Sequence, residues 1–466
     1  MMDKTPFFIR HGRRRPMRTT GPVTPLRRAA AIWAVLVLML FSLTGCDGPG
    51  EPAGESAASD TDGSGIPAPG SSTHSGWSQI VLPEPTTAPA TAAATTVPVQ
   101  VADPDDVSEA PPALPPEEDE PLCAGLTPIR KTAYYGLQVL QSMPRSDNLV
   151  AAYYRLVAGV EACETTISLK DSQYPLTPDE LTAVLTYYRF DYPQHFWLDQ
   201  TTGKFSYTYA GNTVLTITLS YSLTGSALTE AKAAFETAAA GMLEGIDGGM
   251  PEAERERLLH DRLVQAVSYD TGLDKPNIYN AYGAIVDRVA VCEGYARAMQ
   301  YLLYQAGIQC LMATGSSKGE THAWNVVRID GAYYHLDPTW DDPVGQTGFD
   351  FISYAYFNLT DEEIRRDHEI DAESGYPLPA CTDTAAHYYR SRGLVYTSYS
   401  AADVAALIRE AREQDRTLVR LWVDGDADAY SRFILDDWDA ICRQAGYQGG
   451  IRLIPPNTSE ILFSLS

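Results

Sequence analysis

The sequence predicts an α+β protein, and three observations carry the prediction. Residues Tyr295 to Ala306 repeat the apolar positions Ala296, Met299, Leu302 and Leu303 at steps of three and four and stop at Gly307, as an amphipathic helix does. Two β-rich runs follow, His322 to Ile329 and Ala332 to Asp337, joined by Asp330-Gly331. That dipeptide favours a two-residue type I′ hairpin, which needs positive φ at both central positions. Helical and alternating patterns also occur together on both sides of this segment, which fixes the mixed class.

The chain opens with a targeting pattern. Residues 1 to 28 hold eight Lys/Arg against one acid, Asp3, and an apolar run from Ala29 to Leu43 follows. Its length suits a signal-peptide core and is short for a membrane span. Leu43-Thr44-Gly45-Cys46 then looks like a bacterial lipobox, with Cys46 lipidated as the new N-terminus; the plainer alternative is an uncleaved signal anchor. Under either reading, residues 1–46 direct the rest of the chain outside the cytoplasmic membrane, and lipidation anchors it to the bacterial cell membrane. From 47 to 121 the chain is rich in Pro, Ala, Thr, Ser and Gly, carries Glu117-Glu118-Asp119-Glu120 at its end, and shows no amphipathic period. Such a composition predicts a disordered tether, with a reach of roughly 50 Å at about 5–6 Å × √n.

The formal charge of the whole chain is −25, and removing the eight basic residues and one acid before Cys46 takes it to −32. A surface of this sign argues against nucleic acid and anionic lipid as partners and permits a cationic or wall-associated polymer. Setting Cys46 and Cys292 aside leaves Cys123, Cys163, Cys310, Cys381 and Cys442, an odd number, so at least one is unpaired in any intramolecular scheme. Cys310, in a short apolar run, is expected to be a buried thiol, and no disulfide framework is predicted.

Residues 122–248 read as a separate α+β region, with helical spacing over Asp147 to Cys163 and Ser226 to Leu243. A hairpin is expected there from Phe205 to Tyr209 and from Val214 to Tyr221. Its aromatic residues Tyr187, Tyr188, Tyr192, Phe196 and Trp197 are expected to pack in a core. The stretch 388–466 alternates strand and helix in the order β-α-β-α-β-β, which predicts a small C-terminal α/β two-layer domain without a catalytic motif.

The chemistry is concentrated in 249–380. Cys292 stands at the start of the Tyr295 to Ala306 helix, where unpaired backbone N–H groups and the positive end of the dipole favour a thiolate. Those N–H groups also form a potential oxyanion hole. The Asp330-Gly331 turn fixes the hairpin register, placing Ile329 opposite Ala332 and Trp324 opposite Asp337. His322, two residues from Trp324, then shares a face with Asp337 and lies roughly 7–8 Å from it along the diagonal of the ladder. A thiol, an imidazole and a carboxylate in these positions are the parts of a nucleophilic cysteine site. The plain readings are a small buried cysteine, a structural histidine and a strand-ending Asp-Pro. A zinc site is disfavoured because there is no C-x-x-C pair and no close His pair. Asp341-Asp342 alone do not supply the six or more oxygens that calcium takes, so no metal or other cofactor is expected.

Four motifs, Tyr279-Asn280-Ala281-Tyr282-Gly283, Val291-Cys292-Glu293-Gly294-Tyr295-Ala296, Thr321-His322-Ala323-Trp324-Asn325 and His335-Leu336-Asp337-Pro338-Thr339-Trp340-Asp341, resemble the bacterial transglutaminase-like superfamily. The resemblance is specific over roughly residues 255 to 345. It implies a papain-like transglutaminase core with the family's Cys, His and Asp on Cys292, His322 and Asp337. The implied chemistry is acyl transfer on amide bonds of a protein or cell-wall peptide through a thioester, passed to water or to an amine. Trp324 is a candidate shield for the His–Asp pair, or an ordinary core tryptophan. Tyr282 is a candidate second oxyanion donor, or a packed ring. His260-Asp261, on a helix expected over Pro251 to Val267, resembles a pair found in this family and is read as structural. Two rival readings stand beside the enzyme. One is a catalytically idle domain that uses the same groove to bind peptide, and the other is a redox or metal-binding thiol. The sequence leaves the oligomeric state open.

Overall fold

The computed structural model describes residues 133–466 apart from 171, 199–205, 211, 343–350, 372–375 and 458. The leader with Cys46, the tether over 47–121 and Cys123 lie outside the described residues. The first described region carries helices α1 (Tyr135–Ser142), α2 (Ser146–Glu161), α3 (Pro178–Asp191) and α4 (Gly225–Leu243). Strands β1 (Thr166–Ser168), β2 (Ser206–Ala210) and β3 (Thr213–Thr218) form a sheet in the order β1-β3-β2. Helix α3 escapes a periodicity reading because it is buried on most sides, from Leu181 through Tyr187, Tyr188 and Phe190 to Asp191. Its start is nonetheless written locally: Thr177 and Glu180 make a capping box, with Pro178 in the first turn.

The central part runs α5 (Glu252–Ala266), β4 (Ser268–Tyr269), a π-helical turn at Gly283–Asp287, β5 (Val289–Ala290) and α6 (Cys292–Gln305). Then come β6 (Cys310–Ser317), β7 (Glu320–Ile329), β8 (Ala332–Leu336), β9 (Phe357–Leu359), α7 (Asp361–Ile364) and β10 (His368–Ile370). Strands β6 to β10 form one antiparallel sheet in the order β10-β6-β7-β8-β9. The β7–β8 register pairs Ile329 with Ala332 and Asn325 with Leu336. Asp330 and Gly331 take φ of 48° and 93°, as the hairpin turn requires. The β7 strand starts before His322, at Glu320, and β6 and β7 meet in a turn at Lys318-Gly319, both at positive φ. Lys-Gly adopts the same tight turn without the Asn or Asp that announces it in a sequence.

The C-terminal part runs β11 (Val395–Tyr396), α8 (Ala401–Glu413), β12 (Leu418–Val423), α9 (Ala427–Asp436), α10 (Trp438–Ala445), β13 (Ile451–Asn457) and β14 (Glu460–Leu465). The second helix of the expected β-α-β-α-β-β order is two helices, broken at Asp437. Residues 404–463 bury an apolar cluster of their own, including Val404, Ile408, Leu421, Ile434 and Phe463. The region before the central part, expected to be separate, shares one continuous core with it: Leu149, Tyr188 and Phe235 pack in the same cluster as Tyr295, Leu302 and Trp324. Among the described residues, no helix is long and apolar enough to cross a membrane.

Gly315 sits where β6 passes β10, and a Cβ there would lie 1.8 Å from the Glu369 carbonyl oxygen. Backbone has no flexible end to move aside, so Gly315→Ala is expected to destabilise the fold by about 1–3 kcal/mol. Urea unfolding checks this; a midpoint equal to the parent's contradicts it.

Candidate active site

Cys292 is the first residue of α6, preceded by the extended Val291, whose N–H donates to the Ile278 carbonyl (3.0 Å). Gly294 lets the helix start close on the Ile278 segment, since a Cβ would lie 2.4 Å from the Ile278 oxygen. The rest of α6 is pinned from behind. Arg297, fully buried, donates to Glu293 Oε1 (3.0 and 2.8 Å) and to the Arg189 carbonyl (3.0 Å), and Gln300 donates to the Phe190 carbonyl (2.7 Å). On the sheet side, Asn325 Nδ2 of β7 donates to the Ala296 carbonyl of α6 (3.0 Å). These ties, made by side chains of α6 and β7, hold the helix between α3 and the sheet.

His322 lies on β7, 7 % exposed, and its Nε2 donates to Asp337 Oδ2 at 2.6 Å. The Cys292 side chain interacts with the same imidazole and helps it hold its proton. With Nε2 engaged by Asp337, Nδ1 is the nitrogen left for the thiol. Asp337 itself is fully buried, yet each oxygen is satisfied. Oδ1 accepts the backbone N–H of Thr339 (3.0 Å) and Trp340 (3.2 Å), while Oδ2 accepts from His322 and from His368 Nε2 (3.2 Å). Burial opposes the charge on both partners, and their mutual attraction overrides it. The His322 imidazolium is held up to about 10, and Asp337 is held well below the ordinary carboxylate range.

Trp324 is fully buried and stacks on His322, with ring centres 5.9 Å apart and planes at 16°. Its Nε1–H donates to His335 Nδ1 (3.0 Å), and His335 Nε2 meets Asp361 Oδ1 (2.9 Å). Trp340 packs edge-on to His322 from the other side, at 6.1 Å. Tyr282 packs against Phe196 and Phe235, with ring centres 4.8 and 6.4 Å away. The phenols in electrostatic contact with Cys292 are Tyr269 and Tyr279, both held above the ordinary phenol value, chiefly by burial. They were not singled out in the sequence, because β4 is two residues long and carries no strand pattern.

His260 is fully buried between Asp261 Oδ1 and Asp341 Oδ2, each 3.2 Å from a ring nitrogen, and the two acids lift it to about 9 against the effect of burial. Asp341 Oδ1 accepts the Tyr356 N–H (2.9 Å), and Asp342 Oδ2 accepts the Tyr295 hydroxyl (2.5 Å). Asp337, Asp341 and Asp342 thus each accept at least one hydrogen bond from the protein.

Two clusters have donor atoms close enough to gather a cation, His335–Asp361–Cys381 and His322–Asp337–His368. In the first, His335 Nδ1 accepts from the Trp324 N–H, so the ring proton sits on Nε2, the nitrogen a metal would need. In the second, both imidazoles turn protonated nitrogens toward the same Asp337 oxygen.

With this geometry established, comparison with known proteins is direct. Residues 240–338 match the model of the transglutaminase-like superfamily core, and the fold here is of mixed helix and sheet. The human kyphoscoliosis peptidase is 27 % identical over 146 residues, 27 % of this chain and 22 % of that protein. Its mouse counterpart is 26 % identical over 153 residues, 28 % of this chain and 23 % of that protein. The chain therefore spans about a fifth of the length of these curated relatives. Among solved structures, one from Cytophaga hutchinsonii assigned as a cysteine protease covers 27 % of this chain and 51 % of its own, at 17 % identity and a TM-score of 0.20. A TGase covers 30 % of this chain and 44 % of its own, at 13 % identity and a TM-score of 0.21.

The raised His322 links the site to stability. A base whose folded value exceeds its unfolded one stabilises the fold fully below about 6.5 and loses that contribution as pH climbs through about 10. His260, raised to about 9, acts in the same direction. Asp337, depressed, contributes above the ordinary carboxylate range and loses its contribution as pH falls below it. The thermal unfolding midpoint is expected to fall between pH 7 and pH 10, and to fall less steeply in His322→Gln. Scanning calorimetry across that range checks this; parallel curves for the two proteins contradict it.

Proposed function

We propose that this protein is a lipid-anchored, extracytoplasmic enzyme that cleaves or exchanges amide bonds of protein or cell-wall peptides, with Cys292 as its nucleophile. The observation that carries the reading is one imidazole, His322, hydrogen-bonded to the buried Asp337 and interacting with Cys292. The transglutaminase-like core over 240–338 supports thiol-dependent acyl transfer in general.

In the first half-reaction the Cys292 sulfur bonds to the amide carbonyl carbon, and the charge forming on oxygen meets the unpaired N–H groups at the start of α6. The C–N bond then breaks as His322 gives its proton to the leaving amine or ammonia, leaving a thioester. In the second, water or an incoming amine attacks the thioester while His322 takes a proton back, and the C–S bond breaks. Asp337 keeps the imidazole in one orientation throughout, and the Trp324 and Trp340 rings flank it. The relatives named peptidases favour water as the acceptor, and hydrolysis is the branch we adopt.

The leader, the lipobox at Leu43-Thr44-Gly45-Cys46 and the acidic tether give the enzyme its setting. A lipid on Cys46 would hold the catalytic part within about 50 Å of a membrane surface, inside a cell wall.

Two outcomes test the reading. Incubated with a glutamine- and amide-bearing peptide mixture derived from cell-wall and secreted protein, the full chain is expected to release ammonia or new N-termini. Cys292→Ser and His322→Ala are expected to lower that rate by roughly 10³-fold or more. Equal product from wild type and both variants removes the catalytic claim and leaves the peptide-binding alternative. In a bacterial host, radiolabelled palmitate is expected to enter the wild-type protein and not Cys46→Ala; unlabelled wild type would remove the anchor.

A further inference from the structure

His368 is absent from the sequence reading of the site, yet it is the second imidazole on the Asp337 carboxylate, with Nε2 3.2 Å from Oδ2. Its placement follows from the sheet. His322 on β7 pairs with Gly315 on β6, and Gly315 pairs with Ile370 on β10. Directly paired residues and those two apart share a face, so His322, Gly315, Ile370 and His368 all point to the same side. Gly315 has no side chain to fill the space between the outer strands. Across that gap the two imidazoles approach to a ring-centre distance of 5.3 Å.

Both nitrogens of His368 face carboxylates: Nε2 lies 3.2 Å from Asp337 Oδ2 and Nδ1 lies 2.7 Å from Asp367 Oδ1. A neutral imidazole carries one N–H and satisfies one such acceptor, whereas an imidazolium satisfies both. His368 is 1 % exposed, so solvent does not replace a missing proton. Asp367 in turn accepts the Tyr356 hydroxyl on Oδ2. It also lines a polar cleft of about 1310 Å³ with Lys318, Arg365 and Arg366. The charged and titratable groups around His368 are therefore Asp337 and His322 from the centre of the sheet, Asp367 and Tyr356 from its edge, His335 from β8, and Lys318 acting through Asp367. Burial opposes a charge on His368, and the two carboxylates outweigh it.

The geometry points to His368 as a positioning residue that holds Asp337 as a shared anion between two imidazolium rings, extending the site to Cys292–His322–Asp337–His368–Asp367. This role rests on the catalytic reading of Cys292. Two effects on His322 follow. A second N–H on Oδ2 fixes the Asp337 carboxylate that orients the ring. A second positive charge beside Asp337 also weakens its hold on the His322 proton, which eases the transfer of that proton to a leaving amine.

The test uses the full chain with histidine labelled at both ring nitrogens by ¹⁵N, read by NMR and assigned with His322→Gln and His368→Gln. His368 is expected to carry protons on both nitrogens at pH 7.5, and on one only in Asp367→Asn. In His368→Gln, where an amide keeps a donor near Asp337 but brings no charge, the pH at which His322 loses its proton is expected to rise by about half a unit. A single proton on His368 in the wild type, or an unchanged His322 midpoint in His368→Gln, overturns the proposal. If His368→Gln fails to fold, the Asp367→Asn signature decides alone. Alkylation of Cys292 with and without His322, followed in the same samples, separates this outcome from failure of the catalytic reading. A thiol indifferent to His322 ends the catalytic reading and, with it, any positioning role for His368, whatever its protonation.

Discussion

The site depends on keeping a carboxylate ionised inside the protein. Asp337 is fully buried, and an isolated charge there would either take a proton or unfold its surroundings. It remains an anion because four donors converge on it: two backbone N–H groups from the Pro338 to Trp340 turn and two imidazoles from strands on either side of β6. Each donor requires a piece of the fold. The turn needs the Asp-Pro-Thr-Trp order, His322 needs the β7 register, and His368 needs the pairing of β10 with β6, where Gly315 lies opposite both His322 and Ile370. Once the anion is in place, the imidazolium beside it follows, and that imidazolium is what a thiol needs as its partner.

A second layer of buried charge holds the loop that carries Asp337. His260 of α5 meets Asp341, and Asp341 accepts the Tyr356 N–H. Glu460, from the first residue of β14 and 2 % exposed, accepts from the Ser353 hydroxyl and the Tyr354 N–H, and also from the Tyr389 hydroxyl. Arg420 of β12 donates to the Ile352 carbonyl and lies 4.8 Å over the Tyr354 ring. The C-terminal domain thus grips the Ile352 to Tyr356 segment, and that segment grips Asp337 through the Tyr356 carbonyl, which accepts the Asp337 N–H (3.0 Å). Buried charges paired in this way confer geometric definition more than stability, since each pair also carries a desolvation cost. A catalytic constellation needs that definition.

Much of the centre was legible because its determinants are local. Asp330-Gly331 sets a turn, the turn sets a register, and the register alone places His322 and Trp324 on the face of Asp337. The helix after Cys292 shows its spacing, and helix α8 stands out because it has one wet and one dry face. What was not legible depends on contacts far apart in sequence. His368 reaches Asp337 only through the pairing of β10 with β6, and the segment from Asp341 to β10 has no period to reveal a strand. Helix α3 is buried on most sides and shows no stripe. Tyr269 and Tyr279 approach Cys292 from a two-residue strand and an irregular segment, where side-chain direction follows no pattern. The shared core that joins residues 133–243 to the central part was hidden for the same reason: an apolar residue does not declare which partner covers it.

The account stands or falls on whether His322 activates Cys292. The most direct measurement is the rate at which iodoacetamide alkylates Cys292 at pH 6, read on its own peptide by mass spectrometry, in the wild-type chain and in His322→Ala. An assembled pair predicts rapid modification at this pH and at least a tenfold loss in the variant, with the buried Cys310 and Cys381 unmodified in both. Equal rates, at the slow level of an ordinary protein thiol, would mean that the imidazole does nothing for the sulfur and would contradict the account.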